Sequence, residues 1–110
     1  MDEFSVLVSV REGCQLVSVR GDLDSVTAPW LEGELARFGP QARVVVDLSG
    51  VRFVTSAGIA VLLRERGFGR PALYCLDGSA VARMLEIVDA ERLMPVHREL
   101  ATALRDSRAA

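Results

Sequence analysis

The chain has 110 residues, half of them hydrophobic and a quarter charged, with a formal net charge of −2. That is one domain of ordinary globular composition, long enough to bury roughly two-thirds of its unfolded surface without disulfide or metal staples. A near-neutral balance gives no reason to expect direct nucleic-acid binding or an anionic membrane, and no apolar run approaches the ~18 residues of a membrane span.

The N-terminal segment Phe4–Val10 alternates apolar and polar residues as a half-buried strand does. Leu16–Arg20 answers it across a Glu12-Gly13 turn, so a hairpin is expected. Ser25 or Thr27 then caps a helix in which Pro29 holds an early position, where its missing N–H costs little. Trp30, Leu31, Leu35 and Phe38 supply its apolar face, with Trp30 expected in the core, and Gly39-Pro40 stops it. Val44–Leu48 reads as a buried strand, followed by a short link and a helix over 57–66 in which Ile59, Leu62 and Leu63 recur at helical spacing. After a turn at Gly67–Arg70 come a strand over 72–76 and a helix over 80–88 carrying Val81, Met84, Leu85 and Val88. Leu93–Val96 reads as a short edge strand. Leu100 and Leu104 lie one turn apart on a final helix, with residues 107–110 frayed. Strands alternating with short helices and no repeats predict a single α/β domain with a central mixed sheet.

Several chemistries are excluded. All basic residues are arginine, which removes a Walker-type phosphate lysine, a Schiff-base lysine and a kinase strand lysine. The one histidine, His97, has no companion at a recognisable metal-ligand spacing, and no nucleophile-elbow sequence is present, so His97 is expected to be structural or at the surface. No metal, cofactor or enzymatic activity is expected. Met1-Asp2-Glu3 has the wrong charge for a signal peptide, and the expected compartment is the cytoplasm. There, Cys14 and Cys75 are expected to be buried free thiols.

Three polar groups stand out. Thr55 and Ser56 sit where a strand-side loop hands over to a helix, and such a terminus favours a hydroxyl cap and, equally, a phosphate. Local physics leaves two readings open: one of them only caps the helix, or Ser56 is reversibly phosphorylated. Asp22 and Asp24 follow a strand, where paired acids serve as solvated turn residues or as caps for the next helix. Asp47, at the end of the central strand, is expected to cap or bridge its loop.

These stretches resemble the STAS domain, specifically bacterial anti-sigma factor antagonists. In that family a strand ending in Asp-Leu-Ser leads to an Asp-Ser-Ser/Thr/Ala-Gly-Leu/Ile helix start, matched here by Asp47-Leu48-Ser49 and Thr55-Ser56-Ala57-Gly58-Ile59. Val19-Arg20-Gly21-Asp22-Leu23-Asp24, with Thr27-Ala28 beyond, is similar to the family's Gly-Glu-Leu-Asp…Thr-Ala block. Ser79-Ala80-Val81 with Leu85 and the ending His97–Ala101 also fit, and the likeness spans residues 4–106. It implies about five strands with four to five helices mainly on one side. It also implies a binding module rather than an enzyme, a monomer or weak dimer without membrane insertion. Such a module meets a GHKL-type anti-sigma factor kinase, is phosphorylated on Ser56 or less readily on Thr55, and is reset by a PP2C-like phosphatase. The implied partner-binding residues are Asp22, Asp24, Thr27, Thr55, Ser56, Ala57 and Gly58. Two departures matter: Thr55 replaces the usual Asp before the phosphoserine, and the segment 59–70 is about one helical turn shorter than usual. The alternatives are a STAS subunit docking on the ATPase of a lipid-transport system and, from another class, a hydrolase using Ser56 with His97.

Overall fold

The computed structural model describes residues 3–109, with side chains through Ser107; Met1, Asp2 and Ala110 lie outside the described residues. Alternation makes the first hairpin. β1 (Ser5–Arg11) and β2 (Cys14–Leu23) pair antiparallel from Ser5↔Arg20 to Arg11↔Cys14. Glu12 and Gly13 between them both take positive φ, 53° and 81°, the two-residue turn whose twist matches its strands. β3 (Val44–Val54), β4 (Ala72–Tyr74) and β5 (Val96–His97) follow in parallel, giving one five-stranded sheet in the order β1-β2-β3-β4-β5.

Both faces of the sheet centre are apolar because neighbouring residues point opposite ways. Val17, Val19, Val46 and Leu48 face α1 (Ala28–Leu35), α2 (Ser56–Leu63) and α3 (Ala80–Ile87) through Leu31, Leu35, Ile59, Leu62, Val81 and Leu85. Cys14, Leu16, Val45 and Ala72 face Ala103 and Leu104 of α4 (Leu100–Ala109). Three helices thus cover one face and one helix part of the other, the arrangement expected from the family likeness.

Several elements differ from the sequence reading. β3 does not stop at Leu48 but runs on through Ser49-Gly50 to Val54. Two register shifts against β2, at Ser18/Arg20 opposite Asp47 and Gly50 and at Gly21/Asp22 opposite Val51 and Phe53, take up the extra residues of β3. There the Asp47 carboxylate accepts the backbone N–H of Ser49 at 2.9 Å and its hydroxyl at 2.7 Å. α2 ends at Leu63 rather than 66, because Arg64 is extended and Arg66 and Gly69 bridge a tight turn. β4 ends at Tyr74, and the apolar piece at 93–96 is mostly loop after a 3₁₀ turn (Ala90–Arg92), with β5 only at Val96–His97. The final helix runs through Ala109.

Trp30 is a correction. It is 69% exposed and meets Phe4 edge to face at 6.4 Å. Ala28, Leu31 and Leu35 already fill the sheet-facing stripe of α1, and Trp30, one residue before Leu31, is turned about 100° away from it. Cys14 and Cys75 are buried and form no disulfide, and burial pushes the Cys75 thiol up.

Candidate functional site

Parallel pairing brings the C-terminal ends of β2 and β3 to one rim, with Leu23 opposite Val54. One more bond closes it: the Thr55 N–H donates to Leu23 O at 3.0 Å. α2 starts immediately afterwards and must pass close to β2. A Cβ on Gly58 would lie 2.4 Å from Leu23 O, so only glycine permits this approach. Gly58 is therefore buried against β2 and positions the helix; it does not offer a surface to a partner.

Thr55 has extended backbone angles, φ −108° and ψ 170°, and its hydroxyl accepts the Gly58 N–H at 3.4 Å. It is the cap of α2. Ser56, the first helical residue, is exposed, as is Ala57. Among the described residues the Ser56 hydroxyl has no hydrogen-bond partner. Of the two adjacent hydroxyls, one is committed to the fold and the other faces solvent at a helix N-terminus.

Asp22, Asp24 and Thr27 lie on the same rim and do different jobs. The Asp24 carboxylate accepts the N–H of Val26 at 2.9 Å, the N–H of Thr27 at 3.0 Å and the Thr27 hydroxyl at 3.2 Å. In return Thr27 Oγ1 accepts the Asp24 N–H at 2.9 Å and donates to Asp22 O at 2.8 Å. This reciprocal box, with the Ala28 N–H donating to Asp24 O, launches α1. Thr27 holds the N-cap position, but its side chain makes no cap bond to the helix; it turns back to the strand. The Thr27 backbone bond holds the Asp24 carboxyl below its ordinary value. Asp22 is half exposed and pairs with Arg52 at 3.4 Å across β2 and β3. Asp24 and Thr27 are thus structural first, and Asp22 is the carboxylate that points outward.

The other end of α2 carries a network that the sequence reading missed. Arg66, with its side chain only 7% exposed, grips Glu32 of α1 through Nη2–Oε1 at 2.6 Å and Nε–Oε2 at 3.1 Å. The same Nη2 donates to Val61 O at 2.6 Å, and Arg70 Nε donates to Leu63 O at 2.7 Å. Carbonyls at the end of the short helix are thereby satisfied by guanidinium groups. The Arg66 hydrogen bond to Glu32 holds that carboxyl below its ordinary value. The segment Arg64-Glu65-Arg66-Gly67-Phe68-Gly69-Arg70 shows its charges in sequence, but nothing local pairs Arg66 with a glutamate on another helix.

His97 lies elsewhere. It lines a cavity of about 220 Å³ together with Val44, Ala72, Arg43, Arg70 and Asp106, at the N-terminal end of β3 and β4. Ser56 follows the opposite end of β3, which is eleven residues long, or about 35 Å at the rise of a strand. The two side chains form no catalytic pair. Among the described residues no cluster of His, Cys, Asp and Glu could hold a metal ion, and no helix is long and apolar enough to cross a membrane.

Comparison with known proteins agrees with this architecture. The family described as "Mlab, STAS domain" matches residues 6–96. The anti-sigma-F factor antagonist RsfB of Mycobacterium tuberculosis is 38% identical over 64 residues, covering 56% of this chain and 52% of RsfB; the chain thus spans about half the length of this curated relative. An anti-sigma factor antagonist from Mycobacterium paratuberculosis superposes with a TM-score of 0.83 at 28% identity, covering 96% of this chain and 95% of the other. SpoIIAA in its unphosphorylated form shares the fold, with a TM-score of 0.69 at 15% identity over 98% of both chains. The chain belongs to the STAS domain family.

Proposed function

We propose that this protein is an anti-sigma factor antagonist that acts by partner switching, with Ser56 as its phosphorylation site. One observation carries the reading: Thr55 supplies the cap, so Ser56 is exposed at the first turn of α2 with an uncommitted hydroxyl. Unmodified protein binds a GHKL-type anti-sigma factor kinase through this rim and releases the sigma factor. In the complex Ser56 Oγ attacks the γ-phosphorus of ATP, the bond to the bridging oxygen breaks, ADP leaves, and the hydroxyl proton passes to a base of the kinase. The product carries about −1.5 to −2 added charges at the contact. Backbone N–H groups at the start of α2 accommodate the phosphate, while the kinase surface loses its neutral partner. A PP2C-like phosphatase removes it.

Thr55 in place of the family's aspartate removes a fixed negative charge beside the acceptor but keeps the cap. Phosphorylation is therefore expected to be slow and confined to Ser56. Single-turnover kinetics with the cognate kinase, followed by mapping of the product, test this. Phosphate on Thr55, or none at all with the kinase that binds it, would overturn the reading. The alternative, a STAS subunit on a lipid-transport ATPase, predicts co-purification with that ATPase instead of a GHKL kinase.

A further inference from the structure

The two edges of the sheet are treated differently. β5 is only two residues long, and a short edge offers little for another strand to pair with. β1 is seven residues long, pairs with β2 without a register shift, and contains no proline. Its residues Leu7 and Val10 are 69% and 67% exposed. Such an edge is a template for a further strand.

We propose that the further strand is β1 of a second copy of this chain, paired antiparallel about a two-fold axis at Leu7. The residues around Leu7 are chemically palindromic: Val6 answers Val8, Ser5 answers Ser9, Phe4 answers Val10 and Glu3 answers Arg11. An isologous antiparallel contact needs this property, since residue i meets j and j meets i. In this register both exposed apolar side chains are covered, Leu7 by its own copy and Val10 by the partner's Phe4. Glu3 and Arg11 meet twice, once at each end. Both are exposed, and among the described residues neither has an ion-pair partner within the chain.

Backbone geometry agrees with this centre. Arg11↔Cys14 closes a two-residue turn, which makes it a hydrogen-bonded pair. Bonded and non-bonded pairs alternate, so Ser5, Leu7, Ser9 and Arg11 point their N–H and C=O groups at β2. Phe4, Val6, Val8 and Val10 present theirs to the open edge. Centring on Leu7 matches Val6 to Val8 and Phe4 to Val10, so every open group meets an open group. Centring on Val6 or Val8 also satisfies the backbone, but it places Leu7 opposite serine and leaves Glu3 without Arg11. A centre between two residues sets a bonding residue against a non-bonding one. The product is one continuous sheet of ten strands, five from each copy, with the three-helix layers on the same side.

Sedimentation across a micromolar to millimolar concentration series is expected to show a monomer–dimer equilibrium. Glu3→Arg and Arg11→Glu, which set like charges opposite each other, should each weaken the dimer by about tenfold or more, and the double exchange should restore it. Leu7→Cys should form an intermolecular disulfide, because a non-bonded antiparallel pair holds its Cα atoms about 4.5 Å apart. Val10→Cys, equally exposed, should not, since the two copies of residue 10 are about 20 Å apart in this register. A protein that stays monomeric throughout overturns the proposal, as does a dimer indifferent to both charge changes. A Leu7 variant that impairs binding to the cognate kinase while the chain is monomeric assigns the edge to that partner, with the same consequence.

Discussion

The two ends of α2 are fixed by opposite means. At its N-terminus the helix is held by shape, through a missing side chain at Gly58, one backbone bond from Thr55 to Leu23 and one weak hydroxyl cap. At its C-terminus it is held by charge, through Arg66 and Arg70 on its carbonyls and Glu32 of α1 on Arg66. No charged residue occurs within Ser56–Leu63 itself. The difference suits the proposed role, in which the first turn of the helix meets a partner. Close packing beneath Gly58 places Ser56 without using its hydroxyl, while the ionic clamp sits at the far end of the helix.

The largest effect is expected from Gly58→Ala. The added methyl meets the Leu23 carbonyl, a backbone group that cannot rotate away, so α2 must lift from β2. We expect a loss of about 3 kcal/mol in urea unfolding, at the upper end of overpacking costs, together with weakened kinase binding. Wild-type stability in this variant would show that shape does not hold the N-terminus.

Breaking the other end should cost somewhat less. Arg66→Met removes the grip on Glu32 and on the Val61 carbonyl, while Arg64 still reaches Glu32 at 3.0 Å. About 2 kcal/mol is expected from lost charge-assisted bonds. The variant should also respond differently to acid. The folded pKa of Glu32 lies below its ordinary 4.5, so its contribution is full above that value and is lost as pH falls through the folded one. Stability curves of wild type and Arg66→Met should therefore converge in that acid window; parallel curves would assign the stability to packing of the arginine stem alone.

Thr55→Ala removes the cap and should cost about 1 kcal/mol, whereas Thr55→Asp keeps an acceptor and adds charge favourable to the helix N-terminus. The aspartate variant should melt no lower than wild type and be phosphorylated faster, still on Ser56. Modification at residue 56 that is indifferent to this exchange would show that the fixed charge of the family pattern has no part in positioning the acceptor.

The smallest effect on the fold belongs to Asp24→Asn. The amide oxygen can still accept from Val26 and Thr27, so melting should shift little, and less than in Asp24→Ala, which loses all three bonds. Asp24 titrates below its ordinary 3.8 in the folded chain, so its stabilisation is present above that pH and disappears as pH falls through the folded value; the asparagine variant should be flat there. If the carboxylate also meets the kinase, association will slow and lose salt sensitivity. Unchanged kinetics would leave Asp24 as the box that launches α1 and nothing more.

Local pattern alone determined a good deal here. Period-two alternation marked β1 and β2 and helical spacing marked α2 and α3, while the resemblance of 55–59 and 19–24 to the family's blocks led to the expectation that Ser56 shares a rim with Asp22 and Asp24. Those signals depend on neighbours within a turn or a strand, which the sequence displays directly. Tertiary structure decided the rest. β3 continued through Ser49-Gly50 because β2 lies alongside to pair with it, a choice that turn-forming residues cannot announce. Trp30 was left outside because Ala28, Leu31 and Leu35 had filled the only stripe that reaches the sheet. Asp24 and Thr27 became a box, and Arg66 found Glu32, once chain folding had set their directions. Which of two adjacent hydroxyls caps α2 and which stays free was settled by the turn at Thr55, whose backbone bond to Leu23 joins residues thirty-two apart in the chain. Long-range pairing of this kind has no local signature, because its stabilisation exists only after the loop between the partners has closed.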